Sequence, residues 1–270
     1  MLTNDLDPPA ADRTHAVRTS DGLTLAVHEW SGPAAAGDRP VLLHHGFGAS
    51  AHLEWPRSGL PQALLAAGRR VLAVDARGHG RSQAPHDPAR YGEARMARDV
   101  VEVLDALGVP DADLVGYSMG AVVASLVAAT GPARVHRLVL GGVGAGLVEL
   151  GGVDTRVLPA SRLAVALRTG DPGALTDPVV RGFRDFAAST GNDLLALAAQ
   201  ADAVHDRPIA LDAVQAPTLV VAGDEDLLAA RPEVLAAAVP GARLTLVRGD
   251  HGTALRDPRF AAGISGFLSR

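Results

Sequence analysis

An α/β fold, with helices on both faces of a mostly parallel sheet, is what this 270-residue sequence predicts. Three observations carry that expectation. Short apolar runs alternate with helix-like segments through most of the chain, the order that parallel strands and crossover helices require. Apolar residues make up 47% of the chain, enough to bury a sizeable core. Two of the helix-like segments close on a glycine, at Gly68 and Gly108, where a chain leaving a helix turns back.

In chain order, segment 23–30 follows an Asp21-Gly22 turn and reads as one strand of an N-terminal hairpin. Segments 41–44, 70–74, 113–117, 137–140, 218–222 and 243–247 are six further strands, each short, β-branched or leucine-rich, and closed by glycine or a polar residue. Residues 33–37 form a short loop. Helices are expected over 60–67 and over 93–107, where Pro110 follows the closing glycine. In the second, Met96, Val100, Val103, Leu104 and Leu107 recur at helical spacing, so one face belongs to the core. Segment 119–129 is small and apolar all round, as a helix buried against a sheet must be, and 232–239 and 258–267 complete the set.

Residues 144–206 break the rhythm. They contain no clear strand, several prolines and glycines, and helix-like pieces near 157–167 and 179–200. The expectation is a helical lid inserted after the sixth strand, leaving 1–143 and 207–270 as one core.

Composition excludes several classes. Net charge is −5 and all 25 basic residues are arginine, with no basic arm or lysine-rich patch to hold nucleic acid. Cysteine is absent, which rules out a disulfide framework and thiol catalysis. Residues 1–14 are acidic, include Pro8-Pro9 and lack a signal-peptide pattern, and the apolar run 119–129 is too short to span a bilayer. A soluble, cytoplasmic protein is expected. Gly142 and Gly144 do not extend into a G-x-G-x-x-G turn, so 139–146 reads as the entry to the lid and no dinucleotide cofactor is expected. His44-His45 has no further ligands at a coherent spacing, so no metal is expected either. Aromatic residues are 3% of the chain, too few for a carbohydrate-stacking platform.

The stretch Gly116-Tyr117-Ser118-Met119-Gly120 carries the chemistry. With 30 glycines in the chain, chance supplies G-x-S-x-G only roughly 0.13 times. It also stands between a strand-like and a helix-like segment, the context in which a sharp turn lifts a serine oxygen above the sheet edge. A serine hydroxyl needs a base to take its proton and an acid to orient that base. Of the three histidines beyond Ser118, His136 leads into a strand, His205 ends the suspected lid, and His251 follows the last strand. His251 is the candidate base. Asp224, Glu225 and Asp226 all follow the preceding strand, and their chemistry alone does not separate them. Charge developing on a carbonyl oxygen calls for two backbone N–H donors. Met119, directly after the serine, is one; Phe47, after the turn-forming Gly46, is the other. Trp55 and Tyr117 are candidates for the pocket wall.

His45-Gly46-Phe47-Gly48, 75–82 (Asp-Ala-Arg-Gly-His-Gly-Arg-Ser), Gly116-Tyr117-Ser118-Met119-Gly120, Gly223-Asp224-Glu225-Asp226 and Asp250-His251 together resemble the serine α/β-hydrolase family, of esterase and lipase type, in order and spacing. The resemblance runs from about Thr14 to the end and is weakest over 144–206. It implies a doubly wound, eight-stranded type of sheet with a small helical cap. It also implies Asp226 as the acid, Phe47 as the second oxyanion donor, and a structural role for 75–82, so that His79 is not the base. Ser118 sets the chain apart from the subgroups with an aspartate nucleophile, and Ala121 replaces the usual third glycine. The expectation is a cofactor-free serine hydrolase acting on a small or medium apolar ester. Cleavage of a carbon–carbon bond, a thioester or a lactone, and perhydrolysis, share the same machinery, and a non-catalytic ligand-binding protein could share the fold. The oligomeric state is not legible.

Overall fold

The structure is a computed structural model that describes residues 11–31 and 39–269; the loop expected at 33–37 lies outside the described residues. Eight strands form one sheet: β1 (Arg13–Arg18), β2 (Thr24–Trp30), β3 (Val41–His44), β4 (Val71–Val74), β5 (Ala112–Tyr117), β6 (Val135–Gly141), β7 (Thr218–Gly223) and β8 (Arg243–Val247). Their spatial order is β1-β2-β4-β3-β5-β6-β7-β8. β1 and β2 form an antiparallel hairpin, and β2 also runs antiparallel to β4; every other pairing is parallel. The hairpin turns where Gly22 takes φ +86°, a left-handed conformation that favours glycine.

Ten helices surround the sheet among the described residues: α1 (Ala51–Ser58), α2 (Leu60–Ala66), α3 (Glu93–Ala106), α4 (Met119–Thr130), α5 (Ala145–Glu149), α6 (Ala160–Arg168), α7 (Pro178–Ser189), α8 (Leu194–Asp202), α9 (Pro232–Ala238) and α10 (Pro258–Leu268). Because strand side chains alternate, each central strand feeds two cores. Leu42, Leu72, Leu114, Leu138 and Val220 pack with α3, α4 and α9 on one face. Val41, Leu43, Val115, Val139 and Val221 pack with α1, α2 and α10 on the other. α4, apolar on all sides, is buried along nearly its whole length.

The expected strands and sheet helices are present with ends shifted by one or two residues. Three differences are larger. β1, the partner of the expected hairpin strand, is mostly polar and exposed at the sheet edge, so no apolar run marks its range in the sequence, and α1, which carries Pro56, is not among the expected helices. The single helical piece expected over 179–200 is two helices. Gly191 takes φ +76° between them, and Asp193 caps α8 by accepting from the N–H groups of Leu195 and Ala196. α6 starts at Ala160 rather than near 157, because Pro159 sits in an extended conformation before it.

The segment between β6 and β7 thus carries α5 to α8 and, among the described residues, no strand. α6, α7 and α8 share a small core of their own around Leu163, Leu167, Val180 and Leu197. No helix of the described residues is long and apolar enough to cross a membrane.

Candidate active site

The direction in which the sheet is built reverses at β3, with β4 on one side and β5 on the other. Chains leaving neighbouring strands there diverge and open a crevice at their carboxyl ends. The register pairs His44 with Gly116, so the turn after β3 lies beside the turn after β5. Residues 45–50 and Ser118 therefore meet in space.

Ser118 holds φ 53° and ψ −116°, and it is one of two non-glycine residues with positive φ among those described. Such a conformation costs of order 1–3 kcal/mol and persists only where packing enforces it. The flanking glycines show what enforces it. A Cβ on Gly116 would lie 2.1 Å from the carbonyl oxygen of Gly120, and one on Gly120 would lie 2.0 Å from that of His44. Only glycine at both positions lets α4 start so close to β3 and β5.

Ser118 Oγ lies 3.0 Å from His251 Nε2, although 133 positions separate the two residues in the chain. His251 Nδ1 lies 2.9 and 3.0 Å from the two carboxyl oxygens of Asp226. Asp226 is buried and also accepts from the N–H groups of Leu228 and Ala229, which fixes its orientation. Its two neighbours are elsewhere: Asp224 accepts from the N–H of Gly249, and Glu225 is exposed. His136 pairs with Asp113, and His205 sits beside Glu93, so neither reaches Ser118. Tyr117 donates its hydroxyl to the carbonyl of His251 at 2.8 Å, bracing the loop that carries the imidazole.

The N–H groups of Phe47 and Met119 have no acceptor among the described residues. Met119 opens α4, where a helix leaves its first N–H groups free. The loop bearing Phe47 is splinted by buried imidazoles. His45 donates from Nδ1 to the Gly46 carbonyl and accepts the Ala76 N–H at Nε2, while His79 accepts the Gly48 N–H. Burial pushes His45 down to about 4 and His79 to about 3, so both are neutral splints rather than proton carriers near pH 7. Burial would raise Asp75, but its bond to His28 and its other partners outweigh that and hold it at about 2. Its carboxylate also anchors the first N–H of α1. The 75–82 loop is thus structural. Gly46 differs from expectation: the left-handed turn is at Gly48 (φ +72°), while at Gly46 a Cβ would come close to Glu54 Oε2, at 3.2 Å, and to Ser118 Cβ, at 3.4 Å.

Two cavities meet at Ser118. The larger, about 310 Å³, is bordered by His251, Tyr117, Glu54, Phe186 and Leu255. The smaller, about 40 Å³, is bordered by Met119, Leu158, Leu163 and Leu228 and does not reach His251. Phe47 and Phe183 border both. Trp55 borders neither, contrary to expectation: it is fully buried on the core face of α1, with Leu60, Leu64 and Phe260. Its neighbour Glu54 faces the cavity instead. The buried positions of α1 are Ala51, Glu54, Trp55 and Ser58, a helical stripe that would have revealed Glu54 had this helix been recognised. Burial pushes the Glu54 carboxyl up to about 8, partly offset by the Gly46 N–H it accepts.

The described residues contain no group of three or more His, Cys, Asp or Glu side chains placed to hold a metal ion. A family model described as "alpha/beta hydrolase fold" matches residues 39–207. The chain belongs to the α/β hydrolase fold family. Within that fold it is similar to a crystal structure of a hydrolase from Pseudomonas aeruginosa, at 31% identity and TM-score 0.73, covering 96% of this chain and 100% of that one. The enol-lactonase of Burkholderia xenovorans follows at 27% identity and TM-score 0.74, with 96% and 100% covered. A putative carbamate hydrolase, RutD, of Variovorax paradoxus is 49% identical over 113 residues, 42% of this chain and 40% of that protein. The chain spans about half or less of the length of the curated relatives it matches.

Proposed function

We propose that this α/β hydrolase is a serine esterase that cleaves small apolar esters through an acyl-enzyme. The observation that carries the reading is the line of contacts from Ser118 Oγ to His251 Nε2 and from His251 Nδ1 to Asp226. Ser118 Oγ attacks the ester carbonyl as its proton passes to His251 Nε2, and Asp226 holds the imidazole and stabilises its cation. The free N–H groups of Phe47 and Met119 receive the negative charge that develops on the carbonyl oxygen. His251 then returns the proton to the departing alkoxide. Water, activated by the same imidazole, releases the acid and regenerates Ser118.

Because the leaving oxygen takes its proton from His251, the alcohol part belongs in the larger cavity, which His251 borders. The acyl part then belongs in the smaller one, between Met119 and the leucines of the inserted helices. In this reading 144–206 acts as a cap that sizes the acyl group, on a core formed by the rest of the chain. The names of the similar proteins, a lactonase and a carbamate hydrolase among them, suit attack of water on a carbonyl.

A fluorophosphonate probe and p-nitrophenyl acetate test the proposal together. Ser118 should be labelled in the folded protein, and Ser118→Ala should abolish labelling and lower kcat/KM by about 10⁴-fold or more. Hydrolysis that survives Ser118→Ala would sink the proposal.

A further inference from the structure

One polar side chain at the mouth of the site has no part in that scheme. Glu54 lies on α1 against Gly46, and its carboxyl and the Cβ of Ser118 both come within 3.4 Å of the same point beside Gly46. It is 9% exposed, in a cavity whose other borders include Phe47, Leu53, Phe183 and Leu255. Its only partner among the described residues is the Gly46 N–H, at 3.1 and 3.2 Å.

The charged and titratable groups around it do not neutralise it. Arg57, on the same helix, and Arg256 border the cavity, but neither makes an ion pair among the described residues. The Tyr117 hydroxyl is committed to the His251 carbonyl, and His251 to Asp226 and Ser118. A carboxylate with one backbone donor is costly in so apolar a place, which is why burial pushes Glu54 up to about 8. At neutral pH the group is therefore an acid. Gly46 donates to it, and its O–H is a donor for which no acceptor is found among the described residues.

We propose that Glu54 is a specificity residue whose carboxyl O–H donates a hydrogen bond to a second oxygen on the leaving group, so that favoured substrates are small-acyl esters of ether- or hydroxyl-bearing alcohols. The proposal rests on the esterase reading above, because that reading puts the leaving group in the cavity Glu54 borders. A site built to hydrogen-bond an oxygen discriminates against the analogue with a methylene in its place, since the buried donor is then left unpaired.

2-Methoxyethyl acetate and n-butyl acetate differ by one ether oxygen in place of one methylene, and their comparison is the test. With each kcat/KM divided by the ester's own hydroxide-catalysed rate, the wild type should favour the methoxyethyl ester by about tenfold or more. Glu54→Met should bring the ratio near one; because it also removes the acceptor of the Gly46 N–H, the ratio of the two esters, and not either absolute rate, is the readout. Glu54→Gln, which keeps both an acceptor for Gly46 and an N–H donor, should retain part of the preference, and it serves if the Met variant does not fold. In the wild type the ratio should fall as pH passes about 8 and the donor is lost. A ratio near one in the wild type overturns the assignment. So does an equal loss on both esters in Glu54→Met, which would make Glu54 only a prop for the Gly46 turn. A wild type that hydrolyses neither ester sinks the esterase reading itself, and this assignment with it.

Discussion

On the sheet side of the cavity the groups around Ser118 are set by backbone; on the side of the inserted helices they are set by side chains. The sheet side consists of a strained turn from β5 into the closely packed start of α4, two N–H groups without an acceptor among the described residues, and a histidine braced at three points. Little there can vary without a clash. The inserted helices and the bend before α6 reach the two cavities, with Leu158 and Leu163 at the smaller, Phe186 at the larger and Phe183 at both. They are tied to the sheet side through a few polar contacts: Asn192 spans the Gly48 and Ala49 carbonyls and the Gly80 N–H, and Glu93 holds Gln200 and the N–H of His205. The contrast teaches where chemistry and choice reside. Geometry that every substrate needs is written into the backbone, while apolar side chains on separate helices can change shape without disturbing it.

The strongest attempt to break that contrast is on the sheet side. Asp226→Asn should lower kcat on p-nitrophenyl acetate by about 10³–10⁴-fold, whereas Asp224→Asn should cost only a few fold. The reverse order would move the acid to Asp224 and make the Asp226 contact incidental.

A smaller and different effect is expected from the helices. Leu158→Ala enlarges the smaller cavity, which the proposed reading assigns to the acyl group, so activity on p-nitrophenyl butyrate should rise about tenfold relative to acetate, while acetate itself stays within about threefold. Thermal unfolding should report a loss of roughly 2–4 kcal/mol, the usual cost of such a truncation in a packed cluster. Equal losses on all acyl lengths would instead place Leu158 in the support of the catalytic turn.

The smallest effect concerns the tie between the two regions. Burial raises the Glu93 carboxyl from its usual 4.5 to about 7. The folded chain then binds a proton that the unfolded chain has released, so this group's share of stability falls as pH rises from about 4.5 to about 7 and is level above. Glu93→Gln removes that dependence. Its melting temperature relative to wild type should climb by a few degrees across the window, about 1–3 kcal/mol. A difference that does not change with pH would mean Glu93 keeps its charge in the fold.

Much was legible in the sequence itself: β3, β5 and β8, the helix after Ser118, and the need for glycine at 116 and 120. These depend on alternation, helical spacing and steric crowding among residues close in the chain, which sequence displays directly. What only the tertiary structure decided is which side chains meet. Glu54 rather than Trp55 faces the cavity, the helix expected over 179–200 breaks at Gly191 to put Asn192 on the loop after Phe47, and Asp226, which the family resemblance implies but residue chemistry alone does not separate from Asp224, meets His251. Each of those outcomes turns on where a short turn or one face of a helix points once distant segments pack around it, and composition and spacing do not carry that direction.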